Sequence, residues 1–181
     1  VDNLSFIKNI IIFFEYFKRL KSENIILPGE KNRFCLEAIY ASILSKKSFT
    51  NLNFQQPEER IKDSLDQFKD FSLFKNIDLK NLIEQKSDQY DFEKIKDFLF
   101  NFKRSSFFQN SRENKIVYYM FTSGSMGIPK GVSIEQNSLN IFMQFIKENL
   151  LIEEISSYKF QLSLSPLFFD NFIFDLSYFN E

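Results

Sequence analysis

Three of the chain's four glycines, Gly124, Gly127 and Gly131, fall within the stretch 119–132, YMFTSGSMGIPKGV. Among them stand Thr122, Ser123, Ser125, Met126 and Lys130. Hydroxyls, an ammonium and backbone N–H groups are all donors, so this spacing suits the holding of an anion. Glycine admits positive φ and close ligand approach, and successive exposed N–H groups make an anion-binding nest. A phosphate is the anion such a loop suits best. The P-loop pattern G-x-x-x-x-G-K-[ST] does not apply, because Pro129 precedes Lys130 and Gly131 follows it. The dinucleotide pattern G-x-G-x-x-G fails too, since Met126 stands two residues after Gly124. A generic Ser/Gly surface turn is the alternative reading of the same residues.

The flanking residues say what must position this loop. The apolar run Ile116–Phe121 leads in and the β-rich Val132–Ile134 leads out. Upstream, the apolar spacing of Asn3–Lys21 (Phe6, Ile10, Phe13, Phe17) is helical. Asn24–Leu27 reads as a strand closed by Pro28-Gly29, Arg33–Ser45 as a helix, and Phe49–Leu52 as a strand. Pro57 heads a helix over Glu58–Phe68 as a first-turn proline. Within 69–90, Leu73–Phe74 and Leu82–Ile83 fit either short strands or helix pieces. Asp91–Phe102 is an amphipathic helix, and the polar segment Lys103–Lys115 links it to the glycine loop. Beyond the loop the pattern predicts a strand, a helix over Ser138–Leu150, a strand over Phe160–Leu164 and a final apolar helix. Strands alternating with helices predict an α/β fold with a largely parallel sheet.

Composition narrows the chemistry further. With 181 residues, 44% hydrophobic and 26% charged, the chain suits one globular domain. The 25 phenylalanines, with abundant Ile, Lys and Asn, suggest an AT-rich genome rather than a function. The net charge of −1 leaves no electrostatic footprint for nucleic acid. There is no histidine, which removes His-based nucleophilic triads, His-ligated zinc and a His general base. The single Cys35, in the apolar-flanked run FCLEAIYASIL, reads as a buried helix thiol in a reducing compartment. The apolar block Ile10–Phe14 is bounded by Lys8 and Glu15, far short of the ~20 residues that span a bilayer. No membrane partner and a cytoplasmic location are therefore expected. The chain begins at Val1 and ends at DLSYFNE without a closing signal, so both ends read as cut.

The glycine stretch resembles the [YF]-T-S-G-S-T-G-x-P-K-G-V signature of the adenylate-forming (AMP-binding) superfamily. Thr122, Ser123, Gly124, Ser125, Gly127, Pro129, Lys130 and Gly131 stand in place, and Met126 occupies the usual second Thr. A second segment, Ile43–Arg60, resembles the superfamily's L-x-A-G-x-A-[YF]-V-P-L-D-P-x-x-P-x-x-R run. Leu52, Pro57 and Arg60 match and Phe49 fills the aromatic slot, whereas Lys46, Asn51 and Asn53 replace Gly, Pro and Asp. A third, Ser165–Tyr178, resembles the F-D-x-S-x-x-[DE] motif of the amino-acid activators, with Phe169, Asp170 and Asp175 in register and Phe172 in place of Ser. The run Pro166–Phe169 also echoes the P-L-F-H of acyl-CoA synthetases, without its histidine.

The resemblance implies part of the large N-terminal domain of an adenylate-forming enzyme over 1–181, incomplete at its C-terminal side. It is closest to the adenylation domains of peptide synthetases and D-alanine–carrier protein ligases. It further implies ATP with Mg²⁺, an amino acid or other small carboxylate as substrate, and a carrier-protein phosphopantetheine or coenzyme A thiol as acceptor. Residues 122–127 and Lys130 would hold the phosphates, while Phe169 and Asp170 would meet the substrate, Asp170 through its α-ammonium. Asp170 followed by an apolar run also fits a helix N-cap, and one residue can serve both ends. No catalytic residue and no metal ligand is assigned within 1–181, and the chain by itself is expected to lack turnover. A fatty-acyl or aryl-CoA ligase and a non-catalytic truncated relic are the alternative readings.

Overall fold

The computed structural model describes residues 3–104, 115–123, 127–149 and 165–168. Twelve named segments follow in order: α1 (Asn3–Phe17), β1 (Asn24–Pro28), α2 (Arg33–Leu44), β2 (Ser48–Leu52), α3 (Glu58–Leu65), β3 (Ser72–Leu73), α4 (Asn76–Lys86), a 3₁₀ turn (Ser87–Gln89), α5 (Phe92–Arg104), β4 (Ile116–Ser123), β5 (Pro129–Glu135) and α6 (Gln136–Asn149). The strands form a single sheet in the order β3-β1-β2-β4-β5. β1 runs parallel to β2 and β3, and β2 runs parallel to β4. The pairing of β4 with β5 is antiparallel, so the largely parallel sheet ends in a hairpin.

Strands inside a parallel sheet are covered on both faces and read as near-continuous apolar runs. β1 obeys this, with Ile25, Ile26 and Leu27 fully buried. β2 does not: Ser48, Thr50 and Asn51 are as buried as Phe49 and Leu52. The core lies between the sheet and helices α1, α2 and α4, where Phe13, Phe17, Cys35, Ile39, Leu79 and Val117 meet. Full burial of each of the larger side chains contributes about 1.5–3 kcal/mol. Cys35 is indeed a buried helix thiol; burial pushes it up to about 12, and its Sγ lies 3.3 Å from Asn76 Oδ1. No helix among the described residues is long and apolar enough to cross a membrane.

Polar contacts fix how the helices sit. Asn32 caps α2, its Oδ1 accepting the Cys35 N–H at 3.0 Å. Glu37 is fully buried between α1 and α2 and accepts from Asn9 Nδ2 at 3.0 and 3.1 Å and from Arg33 Nε at 2.5 Å. Arg33 in turn donates to Ser5 Oγ at 2.7 Å. Burial raises the Glu37 carboxyl above its ordinary range, and the Arg33 and Asn9 bonds pull it partly back.

The elements differ from the sequence reading at their ends. Pro57 is the N-cap of α3, one residue before its first turn. Leu73 lies in a two-residue strand, whereas Leu82–Ile83 belong to α4. α1 stops at Phe17 and α3 at Leu65, each closed by a tight turn. The strand expected over 160–164 and the final helix lie outside the described residues.

The end of α2 explains one departure from the family pattern. Lys46 N–H donates to Ile43 C=O and Lys47 N–H to Ser42 C=O, each at 3.0 Å. This is the paired bonding of a Schellman cap, whose first residue past the helix adopts the left-handed conformation and is usually glycine. Lys46 takes that place with φ 58°. A lysine there bears a Cβ–carbonyl clash of about 1–2 kcal/mol. Lys46→Gly is accordingly expected to raise stability by about 1 kcal/mol, with a smaller gain for Lys46→Asn. Chemical denaturation checks it, and an unchanged midpoint would mean that the lysine is not strained.

Candidate functional site

The site is built on the β4–β5 hairpin. Apolar Ile116–Phe121 makes β4, but the strand runs on through Thr122 and Ser123, and β5 starts at Pro129. The turn is therefore shorter than the glycine stretch suggests. Thr122 pairs with Lys130 and Ser123 with Pro129. Directly opposed residues share a face of the sheet, and successive residues alternate. Thr122 and Lys130 thus stand on one face and Ser123 on the other.

Thr122 Oγ1 donates to the Lys130 carbonyl at 3.4 Å. Thr122, Ser123, Gly127 and Lys130 are all exposed, and Lys130 has no ion-pair partner among the described residues. Gly127 has φ 83° and open space where a side chain would go. Gly124, Ser125 and Met126 lie outside the described residues. Donors that make no ion pair among the described residues, beside an open glycine, match the chemistry an anion requires. Magnesium is a different matter: among the described residues no group of three His, Cys, Asp or Glu could hold a metal ion.

Two residues just past α3, which the motif reading did not single out, brace this hairpin. The Phe68 ring meets Tyr119 edge-on at 5.0 Å and Phe121 at 6.1 Å. Gln67 Nε2 donates to the Pro129 carbonyl at 2.8 Å, and its Oε1 accepts the Gly131 N–H at 3.0 Å. Burial, and secondarily the charge of Asp70, raises the Tyr119 phenol above its ordinary value. Nothing local marks Gln67; the helical spacing of Ile61, Leu65 and Phe68 turns the Phe68 ring inward but does not say that it meets the hairpin.

The third motif enters at the same end of the parallel strands. Leu167 is fully buried, and Asn51 Nδ2, near the end of β2, donates to its carbonyl at 3.0 Å. The Phe168 ring lies against Gly29, just beyond β1. Since β1, β2 and β4 are parallel, Pro166–Phe168 and the hairpin turn both lie at the carboxyl ends of strands, where open α/β sheets place their ligand crevices. Phe169 and Asp170, which come next in the chain, lie outside the described residues.

A mixed α/β sheet with a glycine-rich hairpin at the carboxyl ends of its parallel strands defines the class of domain. The chain belongs to the AMP-binding enzyme family, whose model matches residues 21–179. It is 28% identical over 146 residues to a D-alanine–D-alanyl carrier protein ligase of Staphylococcus epidermidis, covering 81% of this chain and 29% of that protein. A ligase of the same name from Listeria monocytogenes is 29% identical over 163 residues, covering 86% of this chain and 31% of that one. The chain thus spans about 29–31% of the length of these relatives. Its fold is shared with the Vibrio cholerae adenylation domain AlmE, solved with glycyl-adenosine-5'-phosphate, at TM-score 0.58 and 16% identity over 81% of this chain and 32% of that one. VinN, solved with L-aspartate, follows at TM-score 0.52 and 15% identity over 81% of this chain and 43% of that one.

The positive φ of Gly127 carries a prediction. Gly127→Ala meets no neighbour, so its cost is backbone strain alone, about 1–2 kcal/mol. Gly127→Asn should lose less, because asparagine tolerates the left-handed region. Denaturation midpoints of the two variants check the order; equal stability for all three would show that the turn does not hold this conformation.

Proposed function

We propose that this chain supplies the phosphate-binding part of an enzyme that activates an amino acid with ATP. A carboxylate oxygen of the substrate attacks the α-phosphorus, the bond to the bridging oxygen breaks, and pyrophosphate leaves with its electron pair. The thiol sulfur of a carrier protein's phosphopantetheine then attacks the acyl carbon, its proton is lost, the bond from that carbon to the phosphate oxygen breaks, and AMP leaves. The observation that carries the reading is the pairing of Thr122 with Lys130 across the hairpin, beside the open turn at Gly127.

In this reading the Thr122 hydroxyl, turned from the Lys130 carbonyl, and the Lys130 ammonium on the same face bind the β- and γ-phosphates, and the motif assigns Ser123 and residues 124–127 to the same phosphates. Such chemistry is mostly positioning and charge stabilisation, so a chain without histidine is suited to it. Magnesium would enter with ATP and neutralise charge on its phosphates, and no residue of this chain is assigned to it. The amino-acid class and the carrier-protein acceptor are supported by the names of the curated relatives, both D-alanine–D-alanyl carrier protein ligases. Asp170 is assigned the substrate's α-ammonium, because a carboxylate there gives a charge-assisted bond worth about 1.5–3 kcal/mol and disfavours a fatty acid.

Two measurements test this. In the full-length protein, Lys130→Ala and Thr122→Ala should slow ATP–pyrophosphate exchange, the lysine variant by about 10- to 100-fold, the equivalent of one charge-assisted bond. Circular dichroism should stay unchanged; wild-type exchange in both variants would remove the phosphate assignment. Asp170→Ala should raise KM for the amino acid by orders of magnitude while leaving KM for ATP nearly unchanged. Asp170→Ser keeps a helix cap but not the charge, so amino-acid activation preserved in that variant would favour the capping role and reopen the acyl-CoA ligase reading.

A further inference from the structure

The edge strand of a sheet leaves a row of N–H and C=O groups without strand partners, and among the described strands β5 is such an edge. The Lys130 carbonyl is turned inward, toward Thr122. By antiparallel alternation, the Pro129 carbonyl and the Gly131 N–H are turned outward. Gln67 takes both, accepting the Gly131 N–H at 3.0 Å and donating to the Pro129 carbonyl at 2.8 Å. The same Nε2 donates to the Asp63 carbonyl within α3 at 3.0 Å, so the amide is itself tied to the helix. A primary amide offers two donors and an acceptor oxygen, and all of these are engaged. One side chain therefore does for β5 what a neighbouring strand would do, gripping the peptide units on either side of Lys130.

Gly131 is part of this grip. A Cβ at that position would stand 3.0 Å from Gln67 Oε1 and 3.3 Å from Phe121 Cε1. The glycine after the lysine admits the close approach of the amide. Phe68 holds the same corner by its contacts with Tyr119 and Phe121. Helix α3 is thus fastened to the hairpin at the strand that carries Lys130.

We infer that Gln67 is a positioning residue for Lys130, anchoring the backbone on both sides of the lysine so that its ammonium stands with the Thr122 hydroxyl where a phosphate binds. The inference rests on the phosphate-binding reading above. A lysine ammonium is a point charge on a flexible four-carbon stem, so the place of its Cα decides where the charge can reach. Attraction to a phosphate falls with distance, and an unanchored edge strand would spread that charge over a wider volume.

The test measures the affinity of the full-length protein for inorganic tripolyphosphate and for Mg–ATP by calorimetry. Gln67→Met keeps the side-chain volume and removes the hydrogen bonds; Gln67→Asn keeps the amide one methylene short. Gln67→Met should weaken both ligands about tenfold, as expected for two hydrogen bonds, and Gln67→Asn by less. Hydrogen exchange at the Gly131 amide should speed up in both variants. In a Lys130→Ala background the same changes should add little, since their effect passes through the lysine. Native affinity in a folded Gln67→Met or Gln67→Asn protein, while Lys130→Ala binds poorly, would overturn the inference alone. So would fully multiplicative losses in the double variant, or a lowered Tm with unchanged affinity. Wild-type affinity retained in Lys130→Ala would instead overturn the phosphate reading, and the inference with it.

Discussion

Burial of β2 is the constraint on which the other elements depend. It is the middle strand of the sheet, paired with β1 on one side and β4 on the other, and each of its five residues is buried. A strand enclosed in this way must satisfy its backbone through its neighbours, because an unpaired buried N–H or C=O is expensive. That requirement calls for a neighbour on each side, met here by β1 and β4, both parallel to it, and β4 in turn carries the hairpin. Two of the polar side chains on β2 then find uses that an apolar strand could not offer, while the buried Thr50 hydroxyl has no partner among the described residues. Ser48 Oγ bonds to Asn24 Oδ1 at 2.6 Å near the start of β1, and Asn51 holds the Leu167 carbonyl at the other end. The centre of the sheet thereby locates both the amino-terminal connections and the segment that leads to Phe169 and Asp170.

The helical layer is held differently. α1 and α2 share apolar side chains, but a buried carboxylate sets how they meet. Taking a charge out of water is costly, and a buried ion pair is weak evidence of net stability. Glu37 shows this cost in its raised titration, despite contacts with Arg33 and Asn9. What the arrangement secures is specificity: Asn9 and Ser5 on α1 must face Glu37 and Arg33 on α2 for the polar groups to be satisfied. Lys47 plays a comparable part next to β2, its ammonium donating to the carbonyls of Leu20 and Ser22 at 3.1 and 2.6 Å. The turn between α1 and β1 is tied in this way to the strand at the centre.

The hairpin combines a firm base with an open tip. Its base is paired along β4, braced by the Phe68 ring and held at its outer edge by Gln67. Its tip has exposed hydroxyls, an exposed ammonium and a glycine in a conformation that other residues avoid. Groups meant to meet a multiply charged ligand need positions set in advance, since stabilisation of charge is greatest when donors do not have to reorganise. Strand pairing directly below the exposed Gly127 is one way to reconcile that with access for a ligand.

Much of this was determined by local sequence. Apolar periodicity placed α1, α2, α5 and the central strands, because the spacing of side chains on one face depends only on the helical or extended repeat. The glycine, hydroxyl and lysine order of 122–131 identified the family, because a backbone that must approach a ligand constrains residue types at successive positions. Tertiary structure decided the rest. Thr122 and Ser123 are strand residues only because Lys130 and Pro129 pair with them, and that pairing also separates them onto opposite faces. Leu82 and Ile83 fit either periodicity until α4 packs them beside α1 and α2. Lys46 stands where a glycine is usual, and its left-handed backbone follows from the cap bonds rather than from its own preference. Gln67 and Gly131 are 64 residues apart, and no local pattern joins them. Spacing along the chain reports what one element needs from its own residues; which distant groups satisfy an edge, a cap or a buried charge is settled only when the elements pack.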